Sequence, residues 1–509
     1  MNENLSIMKG LSKYILAVGL LALLACSEKT PTVPEKYTKV DSAPVIYPDY
    51  TDVTVPCNIA PLTFRVEEQC SDVVTRFTVG GKSFVYAGKE VAPSMSDWKS
   101  LLSQAVGMAV KVDVFANDGG KWKGYKPFSI NVSGDSIDPY ISYRLIPPSY
   151  VAYEKLTISQ RNLSNYDEGV IYSNKLVSSE PDGQCINCHA YKNYKTDNMQ
   201  FHVRQYLGGT VFVHNGKMKK VNMKTDSTIS AGVYPFFNPK YDVVAYSVNN
   251  TGQIFHTKNP NKVEVQDQAS DVIIYDPTKE VVAHVANDPD CLEVFPAWSP
   301  DGETLYYCSA YFPVSKSVPH VENMIRNYKD VKYDILRRSW NPETGEFGAV
   351  ETVFAASKLG KSATFPRVSP CGRYLLFALA EYGCFHIWHK DADLYVLELA
   401  TGKYWPLDAA NSSFPESYHS WSSSGKWILF ASRRDDTNYS RLYIAHMNGD
   451  GTSDKAFLLP QKESEFYDFF DRSYNVPEFM VEPVSITPHE FVEVVKGGAV
   501  NVKYSHGLK

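Results

Sequence analysis

Two cysteines and a histidine form the most chemically distinctive pattern in this 509-residue chain. Cys185, Cys188 and His189 have the spacing CxxCH. In an exported protein this is the attachment sequence of a c-type haem. The two thiols can bond the two vinyl groups of one haem, and the adjacent histidine can then reach the iron. The spacing therefore predicts one covalent haem c, with His189 as the proximal iron ligand.

The second iron ligand is expected from a nearby part of the chain. Met199 and His202 are the main candidates, and His214 is a third. On a strand, Met199 and His202 would point to opposite faces, so at most one of them can reach the iron. A methionine would raise the reduction potential, which suits electron transfer, whereas a histidine would lower it. We favour Met199, with His202 as the alternative; His386 and His389 are weaker candidates because they lie far along the chain.

Other uses of the motif are a zinc site, a redox dithiol and a structural disulfide. Zinc usually takes four ligands, and no second CxxC or HxxxH lies nearby. A redox dithiol is expected at the strand-to-helix junction of a βαβ unit, and no such unit is predicted around this motif. A disulfide would be strained and would leave His189 unexplained. We expect the motif in a loop, because a regular strand would divide neighbouring side chains between two faces.

The amino terminus predicts export. Lys9 and Lys13 precede an apolar run of signal-peptide length that ends in the letters LLAC at Cys26. This pattern resembles a bacterial lipoprotein signal, which implies removal of residues 1–25 and lipidation of Cys26. Ser27, in place of an aspartate, favours the outer membrane, on its periplasmic or its surface side. An ordinary signal peptide or a short anchor is the alternative.

The composition favours β-structure and argues against several classes of function. The chain contains 34 Tyr, 25 Phe, 30 Gly and 30 Pro, which suits strands separated by many turns. A net charge of −6 and the lack of a long basic run make nucleic acid an unlikely partner. No hydrolase elbow, HExxH, P-loop or dinucleotide motif occurs. An electron-transfer or binding protein is therefore favoured over an enzyme.

Nine cysteines are present, and the predicted lipid and haem use three of them. The other six could form disulfides in an oxidising compartment. We favour pairs that are neighbours in the chain, although sequence does not choose among the connectivities. The favoured pairs are Cys57 with Cys70, Cys291 with Cys308, and Cys371 with Cys384.

The first part of the mature chain predicts a β-domain. Residues 26–43 are a polar tether, and residues 44–150 contain short alternating runs separated by turn signals. This pattern favours an immunoglobulin-like β-sandwich. One helix, capped by Ser96, is expected there. Its buried face would contain Trp98, Leu101, Leu102 and Ala105.

Four similar segments follow the motif. Each has an aromatic residue, a bend and then a hydrophobic strand. The segments are YPFFNPKYDVVAYSVN from Tyr234, FPAWSPDGETLYYCSA from Phe295, FPRVSPCGRYLLFALA from Phe365 and YHSWSSSGKWILFASR from Tyr418. Their unequal spacing suits propeller blades with loop insertions better than a solenoid.

The repeats resemble the WD40-like repeats of TolB-type propellers, whose hallmark is a Ser-Pro-Asp-Gly bend. The bend beginning at Ser299 matches in full, and those at Ser369 and Ser422 match in part. This resemblance implies an all-β chain with a propeller of six blades, or seven as the alternative. We assign residues 151–190 to a linker with the first strands and the CxxCH motif, 191–485 to the propeller and 486–509 to a tail.

Two functions remain open. The complete layout resembles a group of Bacteroidetes envelope lipoproteins described as TolB-like or cytochrome-associated, which implies an architecture but no defined chemistry. The first hypothesis is a monohaem cytochrome whose propeller face docks a redox partner in the envelope. The second is a scaffold that binds a protein or glycan, with the haem structural or absent. A haem enzyme or sensor with an open iron position is a third and weaker hypothesis.

Overall fold

The computed structural model describes residues 31–148, 155–177 and 184–508. The predicted signal segment 1–25 and Cys26 lie outside the described residues. The chain is all-β and propeller-like, as predicted, with many small sheets. Within the described ranges, no helix combines the length and the apolar character needed to cross a bilayer.

The amino-terminal region contains a seven-stranded mixed sheet, a three-stranded antiparallel sheet and one helix. Its strands are β1 (Thr38–Lys39), β2 (Ile46–Tyr47), β3 (Val53–Pro56), β4 (Phe64–Val66), β5 (Asp72–Val79), β6 (Lys82–Ala87), β7 (Glu90–Val91), β8 (Ala109–Asp118), β9 (Lys121–Gly124) and β10 (Phe128–Ser133). Strands β2, β4 and β7 form the smaller sheet.

Helix α1 (Met95–Ala105) lies in this region and buries the face predicted for it. The buried residues are Trp98, Leu101, Leu102 and Ala105. The predicted cap was wrong, because the hydroxyl of Ser94 accepts the hydrogen bond from the Asp97 amide, and Ser96 already lies inside the helix. Ser94 has the extended backbone of a typical N-cap residue.

The remaining described strands form six sheets of four or five strands, numbered I to VI. Sheet VI contains β11 (Tyr140–Ile146), β12 (Thr157–Asn162), β13 (Glu168–Ser173) and β34 (Ser473–Met480). Sheet I contains β14 (Gln184–Lys192), β15 (Lys195–Gln205), β16 (Gly209–His214), β17 (Lys217–Asn222) and β35 (Ala499–Asn501). Sheet II contains β18 (Val233–Phe237), β19 (Val244–Phe255), β20 (Val263–Asp276), β21 (Val281–Ala286) and β36 (Lys503–Tyr504).

Sheets III to V each use four consecutive strands. Sheet III contains β22 (Cys291–Trp298), β23 (Thr304–Tyr311), β24 (Asp334–Ser339) and β25 (Glu351–Phe354). Sheet IV contains β26 (Ser362–Val368), β27 (Tyr374–Ala380), β28 (Asp393–Glu398) and β29 (Tyr404–Pro406). Sheet V contains β30 (Glu416–Trp421), β31 (Trp427–Ser432), β32 (Arg441–His446) and β33 (Phe457–Leu458). Short helices are α2 (His320–Asn327), α3 (Phe466–Phe469) and α4 (Pro488–Lys496).

Sheet VI joins distant parts of the chain. Its strand β11 pairs antiparallel with β34, so that Ile141 lies opposite Phe479. The predicted boundary at residue 150 therefore cuts through this sheet, and the predicted linker 151–190 contributes β12, β13 and β14. The predicted tail 486–509 is also part of the fold, because β35 and β36 pair with sheets I and II. Pairing between strands so far apart in sequence leaves no local pattern from which to predict it.

One strand in each of sheets I to VI repeats an unusual backbone feature. At one residue the backbone turns left-handed, and the register with the neighbouring strand shifts around it. A register shift of this kind turns a side chain in a new direction. These six residues, called here the ring residues, are Cys188 (φ 58°), Tyr234 (49°), Phe295 (55°), Phe365 (54°), Tyr418 (50°) and Val476 (47°).

The ring residues surround a central gap of only about 20 Å³. Aromatic contacts nearly close it. Phe295 stacks on Phe365 with ring centroids 3.9 Å apart, and Tyr234 and Tyr418 pack edge-on against this pair at 4.9 Å each. The centre of the molecule is therefore filled by side chains, and Cys188 supplies one of the two non-aromatic members of the ring.

All eight cysteines in the described part are free thiols. The predicted pairings 57–70, 291–308 and 371–384 were therefore wrong. Cys291 and Cys308 illustrate the reason. They lie on adjacent strands, but the register places Cys291 opposite Tyr311 and Cys308 opposite Val294. Closeness along the chain did not determine which side chains meet.

Candidate functional site

The CxxCH motif lies inside strand β14, and the expectation that it would lie in a loop was wrong. Cys188 is the ring residue of sheet I, and the register of β14 against β15 shifts between Asn187 and Ala190. The strand consequently directs Cys185, Cys188 and His189 to three different surroundings.

Cys185 borders a cavity of about 480 Å³, called here the arginine cavity. Three guanidinium groups from different sheets line it: Arg144 on β11, Arg204 on β15 and Arg433 directly after β31. Nη2 of Arg144 donates to the Cys185 Sγ over 3.5 Å. Among the residues that line the cavity in the described ranges, none is an aspartate or a glutamate.

The described residues give this cavity a positive electrostatic character. Arg433 lies 3.6 Å above the ring of Trp388, which fixes its guanidinium plane. Nε of Arg144 is buried and meets no hydrogen-bond acceptor in the described part of the chain. Burial, aided by Arg204, lowers the pKa of His202 to about 3, so this lining histidine is neutral at pH 7. Neutral polar side chains also line the cavity, including those of Asn187, Asn249, Asn250, Gln253 and Asn475.

Cys188 lies away from the arginine cavity. Its side chain lines the central gap of the ring and is only 2% exposed. Burial raises the pKa of this thiol. A protonated, enclosed thiol is a poor nucleophile, because the thiolate is the reactive form. The two motif cysteines therefore differ in surroundings and in expected reactivity.

His189 follows the ring residue and points toward sheet VI. Four sheets have a proline at this position, and sheet V has His419. Nε2 of His419 lies 2.7 Å from the carbonyl oxygen of Phe365, the ring residue of the preceding sheet. His189 likewise faces the backbone of Ser142 and Val476 in sheet VI, although neither ring nitrogen completes a hydrogen bond of normal geometry with any described residue. Burial lowers the pKa of His189 to about 4.

The other candidate iron ligands are also separated. Met199 is fully buried in an apolar cluster between sheets I and VI, beside Phe201. His202 lies on the opposite face of β15 and lines the arginine cavity, with Nδ1 3.0 Å from the Thr210 hydroxyl. His214 lies outside the cavity, near Asp242 at 3.4 Å. Of these three, only His202 shares a cavity with Cys185.

The motif residues do not fit one haem in this conformation. Covalent attachment needs both thiols and the histidine on one face of the porphyrin. Here Cys185 borders the arginine cavity, Cys188 lines the central gap and His189 is 1% exposed against sheet VI. Haem c remains a prediction from the sequence.

The other histidines in the described part of the chain do not form an alternative metal site. His389 contacts Glu264 at 3.3 Å, and Nδ1 of His386 lies 2.9 Å from the Thr364 hydroxyl. Across the residues that the structure describes, no cluster of three or more His, Cys, Asp or Glu side chains is arranged to hold a metal ion. The site that stands out is therefore the arginine cavity.

Comparison with known proteins adds no functional assignment. No protein-family model matches the chain, and no curated protein matches it. A puromycin-hydrolyzing peptidase of Mycobacterium tuberculosis is similar with a TM-score of 0.37 and 11% identity, over 81% of this chain and 56% of that one.

Two further solved structures are still more distant. One comes from a study of two prolyl endopeptidases, with a TM-score of 0.30 and 12% identity over 63% of this chain and 42% of that one. The other is an ancestral GH74 enzyme, with a TM-score of 0.29 and 8% identity over 84% and 63%. The chain spans less than two thirds of each of these proteins, and likeness at this level carries no argument about activity.

The position of His189 gives a testable prediction. We expect His189→Pro to fold and to change the free energy of unfolding by less than about 1 kcal/mol, because four equivalent positions already carry proline. His419→Pro is the matched comparison. It should be less stable than His189→Pro by about 1 kcal/mol, because it loses the bond to the Phe365 carbonyl. Denaturant unfolding measures both, and a His189→Pro protein that fails to fold would contradict this placement.

Proposed function

We propose that the protein is a binding protein of the cell envelope and that the arginine cavity receives an anionic ligand. The observation that carries the proposal is the lining: among the described residues, three arginines and no carboxylate surround about 480 Å³. Guanidinium groups match carboxylate and phosphate oxygens with paired hydrogen bonds. A cleft lined by charge of one sign also concentrates ligands of the opposite sign.

Two of the three arginines are already held in position without a ligand. Arg433 is held against Trp388, and Arg144 is held against the Cys185 thiol. Arginines fixed in this way lose less side-chain entropy when an anion binds. Asparagine, glutamine and serine side chains around them can bind hydroxyl groups of a larger ligand. An acidic glycan or an acidic segment of a protein partner has this chemistry.

We extend this proposal to the architecture and the location of the protein. The six sheets would be the blades of a TolB-like, six-bladed propeller, which is supported by their common ring residue and by β34 completing sheet VI. The region before it would be the immunoglobulin-like domain. Lipidation of Cys26 would attach the protein to the outer membrane, leaving the propeller face available to an envelope partner.

Anion binding can be measured with citrate as the probe. We expect citrate to raise the melting temperature at low ionic strength, because a ligand that binds only the folded state stabilises it. Arg144→Gln should weaken citrate binding by about tenfold, which corresponds to the loss of one charged hydrogen bond. Added salt should weaken it further.

The matched control for this experiment is Arg373→Gln. Arg373 is an exposed arginine on the outer part of the fold, paired with Glu398. The Arg373→Gln substitution changes the net charge by the same amount as Arg144→Gln but leaves the arginine cavity intact. Equal citrate affinity for the two variants would show that general surface charge, not the arginine cavity, binds the anion.

Electron transfer with one haem c is the second candidate. The observation in its favour is that Cys185 of the motif and His202 border the same cavity, beside arginines that suit the carboxylates of a haem. When bound, the haem would supply reversible one-electron transfer. His189 and Cys188 would have to leave their present positions, which is why this candidate comes second.

Covalent haem can be tested by the pyridine haemochrome spectrum of protein made in a host with cytochrome c maturation. The haem candidate predicts the α-band of two thioether links in the wild type and its loss in a Cys185→Ala, Cys188→Ala variant. A wild-type protein without this band removes the candidate and leaves anion binding by the bare cavity.

A further inference from the structure

A second cavity, of about 260 Å³, opens on the opposite side of the ring residues. Several of its lining residues come one or two residues after ring residues, such as Ala190, Pro235 and Arg367, whereas Asn187, Val233 and Asn475 of the arginine cavity come directly before them. It is called here the aromatic cavity, because its walls include Tyr191, Tyr194, Phe236, Phe237, Trp298 and Trp421. A small pocket with apolar walls and few polar groups is typical of a ligand site.

One charged pair lies in this apolar pocket. Arg367 and Glu478 each come two residues after a ring residue and lie between the aromatic cavity and the central gap. Their nearest charged atoms, Nη2 and Oε1, are 3.9 Å apart. The two side chains are 16% and 24% exposed, so both have lost most of their contact with water.

The hydrogen-bonding capacity of this pair is largely unused. Nε of Arg367 is buried and has no partner in the described part of the molecule, and Nη1 donates only to the carbonyl of Pro366, over 3.3 Å. Among the described residues, none donates a hydrogen bond to the Glu478 carboxylate, whose one polar contact is the loose approach to Arg367. Removing charged groups from water is costly unless hydrogen bonds replace the water.

Arg367 is nevertheless held in place. The Arg367 guanidinium lies 4.9 Å above the ring of Phe236. The backbone carbonyl of Arg367 accepts a 3.0 Å hydrogen bond from the Trp421 indole. Burial raises the pKa of Glu478 to about 7, and an ammonium group beside it would favour the carboxylate form. A cation and a titratable carboxyl group are therefore presented side by side, at the inner end of an aromatic pocket.

We propose that the aromatic cavity binds one free aromatic α-amino acid. Arg367 would bind its carboxylate, Glu478 would bind its ammonium group, and the aromatic walls would enclose its ring. An α-amino acid carries both charged groups on one α-carbon, close enough together to meet both members of the pair. A monoacid would leave Glu478 without a partner, and a simple amine would leave Arg367 without one.

This site is independent of the anion site. The ring residues lie between the two cavities and leave a gap of only about 20 Å³, which is too small for an amino acid to pass. The chemistry also differs, since the arginine cavity offers several cations, whereas the aromatic cavity offers one balanced pair. A failure of citrate to bind would therefore not affect this proposal. Equally, a failure of an aromatic amino acid to bind would not affect the proposed anion site.

Isothermal titration with L-phenylalanine and two half-ligands tests the proposal on the wild-type protein. The half-ligands are 3-phenylpropionate, which lacks the ammonium group, and phenethylamine, which lacks the carboxylate. Each should bind about tenfold more weakly than L-phenylalanine, because each loses one charged hydrogen bond. No binding of L-phenylalanine at millimolar concentration, or equal affinity for all three, would overturn the proposal.

The variant Glu478→Gln tests whether Glu478 is the residue that binds the ammonium group of the amino acid. It should weaken L-phenylalanine binding about tenfold and leave 3-phenylpropionate unchanged, because only the amino acid has an ammonium group to lose. Glu351→Gln, at an exposed pair with Arg337, is the matched control and should change neither. If Glu478→Gln weakened both ligands equally, or neither, the assignment of Glu478 to the ammonium group would be wrong.

Discussion

The left-handed backbone at six equivalent positions is the constraint on which the rest of the structure depends. Such a conformation costs on the order of 1 kcal/mol for a residue other than glycine. It persists here because each ring residue lies in a strand that continues pairing on both sides. The left-handed conformation turns the six side chains toward one point, where aromatic stacking fills the centre.

The same constraint determines what the CxxCH motif does in this fold. Because Cys188 is a ring residue, it must face the centre, and His189 must take the position that proline occupies in four other sheets. Cys185, three residues earlier, is then left at the wall of the arginine cavity. One backbone feature thus separates three residues that the sequence pattern would place together. It also divides the centre into a positively charged cavity and an aromatic one.

Much of the fold was predictable from sequence, because its repeats contain local signals. The segments from Tyr234, Phe295, Phe365 and Tyr418 proved to contain parts of the first two strands of sheets II to V, and the buried face of α1 was evident from its spacing. The segment from Gly208 to Thr225 was recognisable as the end of an earlier blade, and it contains β16 and β17 of sheet I. The first strand of that sheet was missed because a cysteine and a histidine replace the aromatic residue and proline. Aligning Cys188 with Tyr234 would have revealed it.

The candidate site was less predictable, for a physical reason. Arg144, Arg204 and Arg433 come from three sheets and share no motif, so only the tertiary fold brings them together. Arg367 and Glu478 are likewise distant in sequence. Both occupy the position two residues after a ring residue, so the repeat pattern could have related them once the strand of sheet VI that contains Glu478 was recognised.

Alkylation of the native protein tests most directly whether Cys185 faces a cationic cavity. The rates of reaction with iodoacetate, an anion, and iodoacetamide, a neutral analogue, can be followed at each cysteine by mass spectrometry. The exposed thiol of Cys371 serves as the internal reference. The account predicts a higher iodoacetate-to-iodoacetamide ratio at Cys185 than at Cys371, a decrease of that ratio with salt, and almost no reaction at Cys188. Equal ratios at Cys185 and Cys371, or a Cys188 that reacts as fast as Cys185, would contradict it.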